Sequence, residues 1–317
     1  VKDLEYIVIT HTDIDGVAGA ALYIYKAGLS PSRVLFAEPY NLVDVLKSAR
    51  VVEGKVVVID LGVNPPTLNK LVDELRKITM RGAAVEWYDH HVWSDEWIAL
   101  IKDLGVKLYL DTSTCGTGVV AKYSPRLVEV NEAFLVELTN GVCGADLWKF
   151  DHWLSPWLHR LVPRREESSW RIHVLNTLSK GVLWNNDFTN YVSNRVDWEL
   201  KAYSEFTNNV KVVEACNLRI AYIREPRVNS SLAASVILGR SMADIAVVVS
   251  SDGKLSFRSE SSDVRSLAVK LGGGGHVHAS GAKIQIPITV RLKSFFNKEA
   301  LMDYVHRVIS TTICFEK

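Results

Sequence analysis

The chain has 317 residues, of which 48% are hydrophobic and 23% charged, and its formal net charge is +1. That length exceeds what one hydrophobic core usually serves, so two domains are expected, and the near-neutral charge excludes a global field that would hold long duplex nucleic acid. No apolar run approaches the roughly 18 residues of a membrane span and no basic segment precedes an apolar stretch near residue 1, so a cytoplasmic protein without membrane contact is expected.

Three short apolar runs in the first part of the chain each end on acids or histidines. Tyr6-Ile7-Val8-Ile9 leads to His11-Thr12-Asp13-Ile14-Asp15-Gly16, Val56-Val57-Val58-Ile59 to Asp60, and Ala83-Ala84-Val85-Glu86-Trp87-Tyr88 to Asp89-His90-His91. Runs of this length and composition suit buried parallel strands, which puts each polar group at a strand's carboxyl end. Ligands bind along that edge of an open α/β sheet, so residues distant in sequence are expected to meet in one crevice, joined by a later acid, Asp146. Gly16 is expected to supply an unusual backbone angle or a tight turn into a helix near Val17. A lone strand-end Asp such as Asp60 is usually a turn or a helix cap; several charged groups in one pocket, however, need a cation or a network to balance them. Oxygen and imidazole donors without thiolate favour Mn²⁺ or Mg²⁺, with Zn²⁺ or Co²⁺ admitted. Two such ions about 3.5–4 Å apart would activate water and stabilise the leaving oxygen of a phosphoester.

Helices are expected over 68–78 and from 118 to 123, preceded by Asp111-Thr112-Ser113-Thr114-Cys115-Gly116-Thr117-Gly118, whose hydroxyls and glycines suit a cap and would also offer N–H groups to an anion. Residues 128–185 read as helical. Within them, Trp148, Phe150, Trp153, Trp157 and Trp170 interleave with His152, His159, Arg160, Arg164, Arg165 and Arg171. This is either a surface for single-stranded nucleic acid or an amphipathic hairpin with inward tryptophans and solvated arginines, the second being favoured for most of the tryptophans. One polar helix capped by Asp187 is expected over 187–210. Beyond it, strands are expected at 218–223, 245–249, 255–258 and 282–286, and helices at 231–238, 262–271 and 298–309. Near the end stand Ser256-Phe257-Arg258-Ser259, Asp263-Val264, Gly272-Gly273-Gly274-Gly275-His276 and Ala279-Ser280-Gly281. The glycine run would let N–H groups approach an anion, although composition alone favours a plain loop. Cys115, Cys143, Cys216 and Cys314 are scattered without a CxxC pair and are expected to be reduced and mostly buried.

The HxDxDG stretch, Asp60, Asp89-His90-His91 and the later Asp146 together resemble the DHH phosphoesterase superfamily, and the C-terminal set resembles its DHHA1 domain in content, order and spacing. The resemblance covers nearly the whole chain and is closest to NrnB-like and archaeal RecJ-like members. It implies an α/β protein with a parallel-sheet DHH domain over 1–186, a helical connector over 187–211 and a smaller α/β DHHA1 domain over 212–317, with the active site in the interdomain cleft. It implies that His11 and Asp13 hold one Mn²⁺, that Asp15, His90 and Asp146 hold another, and that Asp60 bridges them, with Mg²⁺ or Co²⁺ as substitutes. Asp89 would orient His90, and His91 would face the substrate phosphate as acid or hydrogen-bond donor. Arg258, Ser259, Gly273, Gly274, Gly275 and His276 would bind the far part of the substrate. Gly144-Ala145-Asp146-Leu147-Trp148 lacks the Asp-Thr-Gly context of some branches, which makes Asp151 the nearby substitute. The implied activity is metal-dependent hydrolysis of short single-stranded RNA or DNA oligonucleotides, by a chain that is compatible with a homodimer. The alternatives are a 3'-phosphoadenosine 5'-phosphate phosphatase, a cyclic dinucleotide phosphodiesterase, a polyphosphatase, or a replication-associated binding partner. Intact His11, Asp13, Asp15, Asp60 and His90 argue against a degenerate scaffold.

Overall fold

The computed structural model describes residues 6–51, 54–164, 166–206, 209–226, 228–297 and 299–314, with 204–206 described by backbone only. Arg165, the expected helix start at Lys298 and residues 207–208 of the expected connector lie outside the described residues. The chain divides into two compact units, Val1–Val192 and Ser193–Lys317.

The first unit runs β1 (Tyr6–His11), α1 (Ile14–Ala27), β2 (Arg33–Ala37), α2 (Leu42–Ala49), β3 (Lys55–Ile59), α3 (Leu68–Met80), β4 (Ala84–Asp89), α4 (Asp95–Lys102), β5 (Lys107–Leu110), α5 (Gly116–Tyr123), α6 (Glu132–Asp146), α7 (Ser155–Leu161) and α8 (Ser168–Leu178), and the division falls inside α9 (Asn186–Phe206). Its five strands lie in the order β2-β1-β3-β4-β5, with every neighbouring pair parallel. A sheet covered on both faces explains the continuous apolar runs, because alternate side chains enter different cores. Ile7, Ile9, Val56, Val58, Val85 and Trp87 pack with Leu42 and Leu46 of α2, Leu71 and Leu75 of α3 and Ile101 of α4. On the other face α1 closes against β3, where a Cβ on Gly19 would lie 2.9 Å from Ile59. Its buried Lys26 donates to the carbonyls of Val120 (3.0 Å) and Ala121 (2.8 Å) near the end of α5. Gly28 ends α1 in left-handed backbone at φ 65° and donates to Ile24.

The second unit comprises β6 (Lys211–Ala215), β7 (Leu218–Arg224), α10 (Ser230–Ser241), β8 (Ile245–Val249), β9 (Lys254–Arg258), α11 (Val264–Lys270), β10 (Gly274–Gly275), β11 (Ala279–Lys283), α12 (Ile288–Phe296) and α13 (Ala300–Cys314). Its sheet has the order β10-β11-β9-β8-β7-β6, with β7 and β8 parallel and the other pairs antiparallel. Tyr222, Val247, Phe257 and Leu255 pack under Val264 and Leu267 of α11 and Leu301, Val305 and Ile309 of α13, while Ala221, Ile223, Ala246 and Val248 face α10. Helix α12 and strands β6 and β10 were not foreseen. Strand β6 sets only Val212 and Val213 between the charged Lys211 and Glu214 at a sheet edge, a weak apolar signal adjoining a long polar helix.

The cysteines correct the sequence reading. Cys115 pairs with Cys143 and Cys216 with Cys314, across Cα separations of 5.1 and 5.7 Å, and only Cys115 is fully buried. Sequence separations of 28 and 98 residues hid both pairs. Among the described residues no helix is long and apolar enough to cross a membrane.

Candidate metal centre

The order β2-β1-β3-β4-β5 reverses direction between β1 and β3: from β1 the chain first adds β2 on one side, then continues with β3 on the other. A crevice forms where the connections diverge at the carboxyl ends of these strands. His11 ends β1, Asp60 follows β3, and Asp89 ends β4 with His90 and His91 directly beyond it.

Helix α1 begins earlier than expected, at Ile14, because Asp13 is its N-cap and accepts from the Gly16 N–H at 3.3 Å. Asp15 therefore sits in the first turn and is fully buried. Gly16 is required for space rather than for an unusual angle, since a Cβ there would lie 2.6 Å from the His11 carbonyl oxygen. The two oxygens of Asp15 accept the N–H groups of Gly116 and Thr117, each at 2.7 Å. The positive end of α5 thus serves an internal carboxylate, which is what the hydroxyl- and glycine-rich stretch before it achieves. Gly116 permits this approach, because a Cβ would come 2.7 Å from Asp60 Cβ and 3.0 Å from Asp15 Oδ2.

The imidazoles are fixed by their outer nitrogens. His90 Nδ1 donates to the Thr114 carbonyl at 3.1 Å, which turns Nε2 toward Asp60 Oδ1 (3.3 Å), Asp146 Oδ2 (3.6 Å) and Asp15 Oδ2 (3.7 Å). His11 Nε2 donates to Glu38 Oε2 at 3.2 Å, leaving Nδ1 2.9 Å from Asp13 Oδ2 and 3.4 Å from Asp60 Oδ2. Asp60 thus directs one oxygen at each imidazole. It does so from left-handed backbone at φ 56°, a conformation that costs energy for a residue with a Cβ and that clusters at functional sites.

Asp89 does not orient His90, which corrects the expectation. Its buried carboxylate accepts from His91 Nδ1 at 2.8 Å and from Trp93 Nε1 at 2.7 Å. The tripeptide alternates in direction along the end of β4, so Asp89 meets the second histidine while His90 turns to the loop before α5. His91 Nδ1–H is thereby fixed, and Nε2 is the nitrogen left to meet a ligand. Asp146, at the end of α6, joins the cluster. Asp151 is not among the residues that meet there; with Ser113, Thr114, Lys149 and His152 it lines a cavity of about 280 Å³.

Burial pushes the Asp15 and Asp146 carboxyls up, and repulsion from Asp60 adds to it; Asp15 lies well above the usual range and Asp146 is raised to about 6. Burial also acts on Asp60, but hydrogen bonds and charge from His11 and His90 outweigh it and hold its carboxyl well below the usual range. For the imidazoles burial favours the neutral form, yet Asp13 and Asp60 at His11, and Asp60 and Asp146 at His90, raise both well above the usual histidine range. Several carboxylates and two imidazoles share one buried volume. Two of their atoms, His11 Nδ1 and Asp146 Oδ2, are buried without an aligned hydrogen bond. Donor atoms of His11, Asp13 and Asp60 lie within 4.8 Å of one another, as do those of Asp60, His90 and His91. An electron-pair donor set with orphaned atoms and excess negative charge fits divalent cations.

Sequence reasoning missed Glu38, Trp93 and the Thr114 carbonyl, and it placed Arg171 among solvated cations. Arg171 is 5% exposed and donates from Nε to the Thr12 carbonyl at 2.7 Å. Of the tryptophans, Trp170 packs inward between Tyr191 and His173, whereas Trp153 is 64% exposed.

In the second unit, β9–β11 register sets Arg258 opposite Ala279, so the arginine flanks the turn in which His276 N–H donates to Ala279 at 2.8 Å. Its guanidinium donates to the Phe257 carbonyl at 2.7 Å and to the Ser231 hydroxyl. Ser259 is buried, donating to the Asp244 carbonyl at 2.6 Å and accepting from Ser262 N–H at 2.8 Å, so its hydroxyl makes a turn rather than meeting a substrate. The glycine run is neither a plain loop nor an open anion nest. Gly272 and Gly273 donate to Val269 and Ala268 to end α11, and Gly274 and Gly275 pair with Gly281 and Ser280. Gly273 is needed there because a Cβ would lie 2.1 Å from the Gly281 carbonyl oxygen.

No family model matches the sequence, and no curated protein matches it in sequence. Solved structures do share the fold. A DHH domain from a member of a family of ribosomal proteins superposes with a TM-score of 0.59 at 15% identity, covering 96% of this chain and 87% of that one. RecJ from Thermus thermophilus in complex with Mn²⁺ gives 0.58 at 15% identity over 99% of this chain and 53% of RecJ. The pGpG-specific phosphodiesterase PggH from Vibrio gives 0.56 at 16% identity, covering 94% of this chain and all of that one. The chain therefore has the two-domain α/β fold of DHH proteins.

Proposed function

We propose that the chain is a divalent-metal-dependent phosphodiesterase that hydrolyses short single-stranded oligonucleotides, linear dinucleotides included. The observation that supports this most strongly is the convergence of His11, Asp13, Asp15, Asp60, His90 and Asp146 at the sheet's switch point, with His11 Nδ1 and Asp146 Oδ2 buried and lacking an aligned hydrogen bond. In this reading His11 and Asp13 hold one ion, Asp15, His90 and Asp146 hold the other, and Asp60 serves both. Bound Mn²⁺, with Mg²⁺ or Co²⁺ as substitutes, would supply a nucleophile at neutral pH and charge for the phosphoryl oxygens. The chain's own contribution is orientation. Thr114 and Glu38 fix the ring nitrogens, α5 N–H groups hold Asp15, and the Asp89–His91 pair presents an imidazole whose proton affinity is raised by the carboxylate, suited to donating to a phosphate or leaving oxygen.

The pGpG specificity of one fold relative supports a short nucleotide substrate, and the Mn²⁺ complex of another supports a divalent metal. Arg258 and His276 in the second unit are proposed to engage the substrate's far phosphate. The test is a ranked rate comparison with Mn²⁺ on end-labelled two- to ten-mers of RNA and DNA, pGpG, cyclic dinucleotides, 3'-phosphoadenosine 5'-phosphate and polyphosphate. Oligomers of two to five residues should lead; preference for polyphosphate or for the monoester would overturn the substrate assignment, and no metal-dependent hydrolysis would overturn the class.

A further inference from the structure

The α7–α8 loop carries a cation into the metal centre that none of the site motifs contains. Arg164 Nε lies 3.6 Å from Asp13 Oδ2, and 67% of its side chain is exposed. The loop is tied down beneath it. The buried Arg171 of α8 donates from one terminal nitrogen to the Arg164 carbonyl at 2.6 Å and from Nε to the Thr12 carbonyl at 2.7 Å, so a single guanidinium joins the backbone of the HxDxDG loop to the backbone of residue 164. Both contacts are to carbonyl oxygens and fix chain position, not charge. Such a joint makes sense if the position of the residue 164 side chain relative to Asp13 matters.

We propose that Arg164 is a ligand for the substrate's reacting phosphate, placed beside the metal ligands by Arg171. This rests on the metallophosphodiesterase reading above. A guanidinium serving only as counter-charge to the buried carboxylates would gain most by being buried and paired in fork geometry. Arg164 instead stands 3.6 Å from Asp13, beyond hydrogen-bond distance, and stays open to solvent, where an incoming anion would reach it. Once Asp13 binds a divalent cation, its carboxylate is engaged by the ion, and the neighbouring guanidinium is left to pair with an anionic phosphate.

The test uses the full chain with Arg164→Ala and Arg164→Lys, read by Mn²⁺ titration calorimetry, by inorganic phosphate binding to the Mn²⁺-loaded protein, and by kcat/KM on pGpG. Arg164→Ala should bind Mn²⁺ as tightly as the parent or more tightly, because a cation beside Asp13 is gone. It should lose about tenfold or more in phosphate affinity and about 100-fold in kcat/KM, with partial recovery in millimolar guanidinium. Arg164→Lys should recover part of both losses, since an ammonium restores charge without the fork. Phosphate affinity within twofold of the parent, or a loss that tracks weakened Mn²⁺ binding, would overturn the proposal. Absent Mn²⁺ binding in the parent protein would instead overturn the metal-centre reading, and with it this one; Mn²⁺ and phosphate binding without hydrolysis of pGpG leaves the Arg164 assignment decided by the phosphate measurement.

Discussion

Metal binding at this centre should be strongly coupled to protons. Without metal, His11 and His90 are held well above the usual histidine range by Asp13, Asp60, Glu38 and Asp146, despite burial that favours their neutral forms. Each imidazole must lose its proton to become a ligand, so loading both positions releases two protons from these residues. Near and above pH 6.5, one displaced proton changes the apparent affinity about tenfold per pH unit, and the two imidazole protons alone change the product of the affinities about 100-fold, or roughly 2.7 kcal/mol, the raised Asp15 carboxyl acting in the same direction. The sign for the metal-free protein is opposite. A histidine whose folded pKa is raised contributes stability that is complete below the unfolded value of about 6.5 and is lost as pH rises through the folded value. Raising the pH from 6.5 to 7.5 should therefore destabilise the metal-free unit and strengthen the metal-loaded one. At about 2–4 °C per kcal/mol for a unit of this size, the gap between loaded and metal-free melting temperatures should widen by roughly 5–10 °C. Scanning calorimetry at fixed free Mn²⁺ and after exhaustive chelation, at three pH values across this interval, measures the gap. A gap that is constant with pH would refute the argument that the two imidazoles carry protons in place of cations.

Three further outcomes follow from individual contacts. Asp60→Asn keeps a residue type that tolerates left-handed backbone but removes the charge between the two imidazoles; Mn²⁺ stoichiometry should fall below two and turnover about 1000-fold or more, whereas near-native turnover would contradict the bridging assignment. Asp89→Asn should release His91 while leaving the metal positions intact, giving roughly a 10- to 100-fold loss in kcat at unchanged Mn²⁺ stoichiometry; loss of a metal ion would show instead that Asp89 acts on the ligands. Reducing the disulfides should lower unfolding free energies by roughly 3–4 kcal/mol for the Cys115–Cys143 loop and 4–5 kcal/mol for Cys216–Cys314, read from denaturant midpoints of separate Cys143→Ala and Cys216→Ala variants; four titratable thiols in the native protein would exclude the pairing.

Three strands of the first sheet, β1, β3 and β4, were legible because both of their faces are covered: Val56-Val57-Val58-Ile59 reads as an unbroken apolar run when alternate residues enter two cores. The metal centre was legible for a related reason. Its acids and histidines sit immediately after those runs, so finding the strand ends locates the site. Element starts were less visible. Asp13 reads as a ligand, and only its hydrogen bond from Gly16 shows that it also begins α1, which moves Asp15 into the helix and turns it toward α5. The glycine run misled in the opposite direction. Composition suggested freedom, but its requirement is the lack of a side chain, because Gly273 passes against the Gly281 carbonyl oxygen at a distance that excludes a Cβ.

What the sequence concealed are the partners that orient the ligands, and they share one property: each is defined by spatial neighbourhood rather than by a local pattern. Glu38 follows β2, a short edge strand with no motif of its own, and parallel register sets Ala37 beside His11 and so delivers the next residue to the His11 ring. Thr114 acts through its carbonyl, so no side-chain motif could announce it. Arg171 lies 159 residues from the loop that it supports and resembles any other arginine on a helix. Asp89 shows the limit most clearly, since adjacency in the tripeptide favours His90 as its partner, whereas the alternation of a strand end gives it His91 and Trp93. Asn in place of Asp89 should therefore change proton delivery before it changes metal occupancy, and that order of effects distinguishes a partner of His91 from a partner of His90.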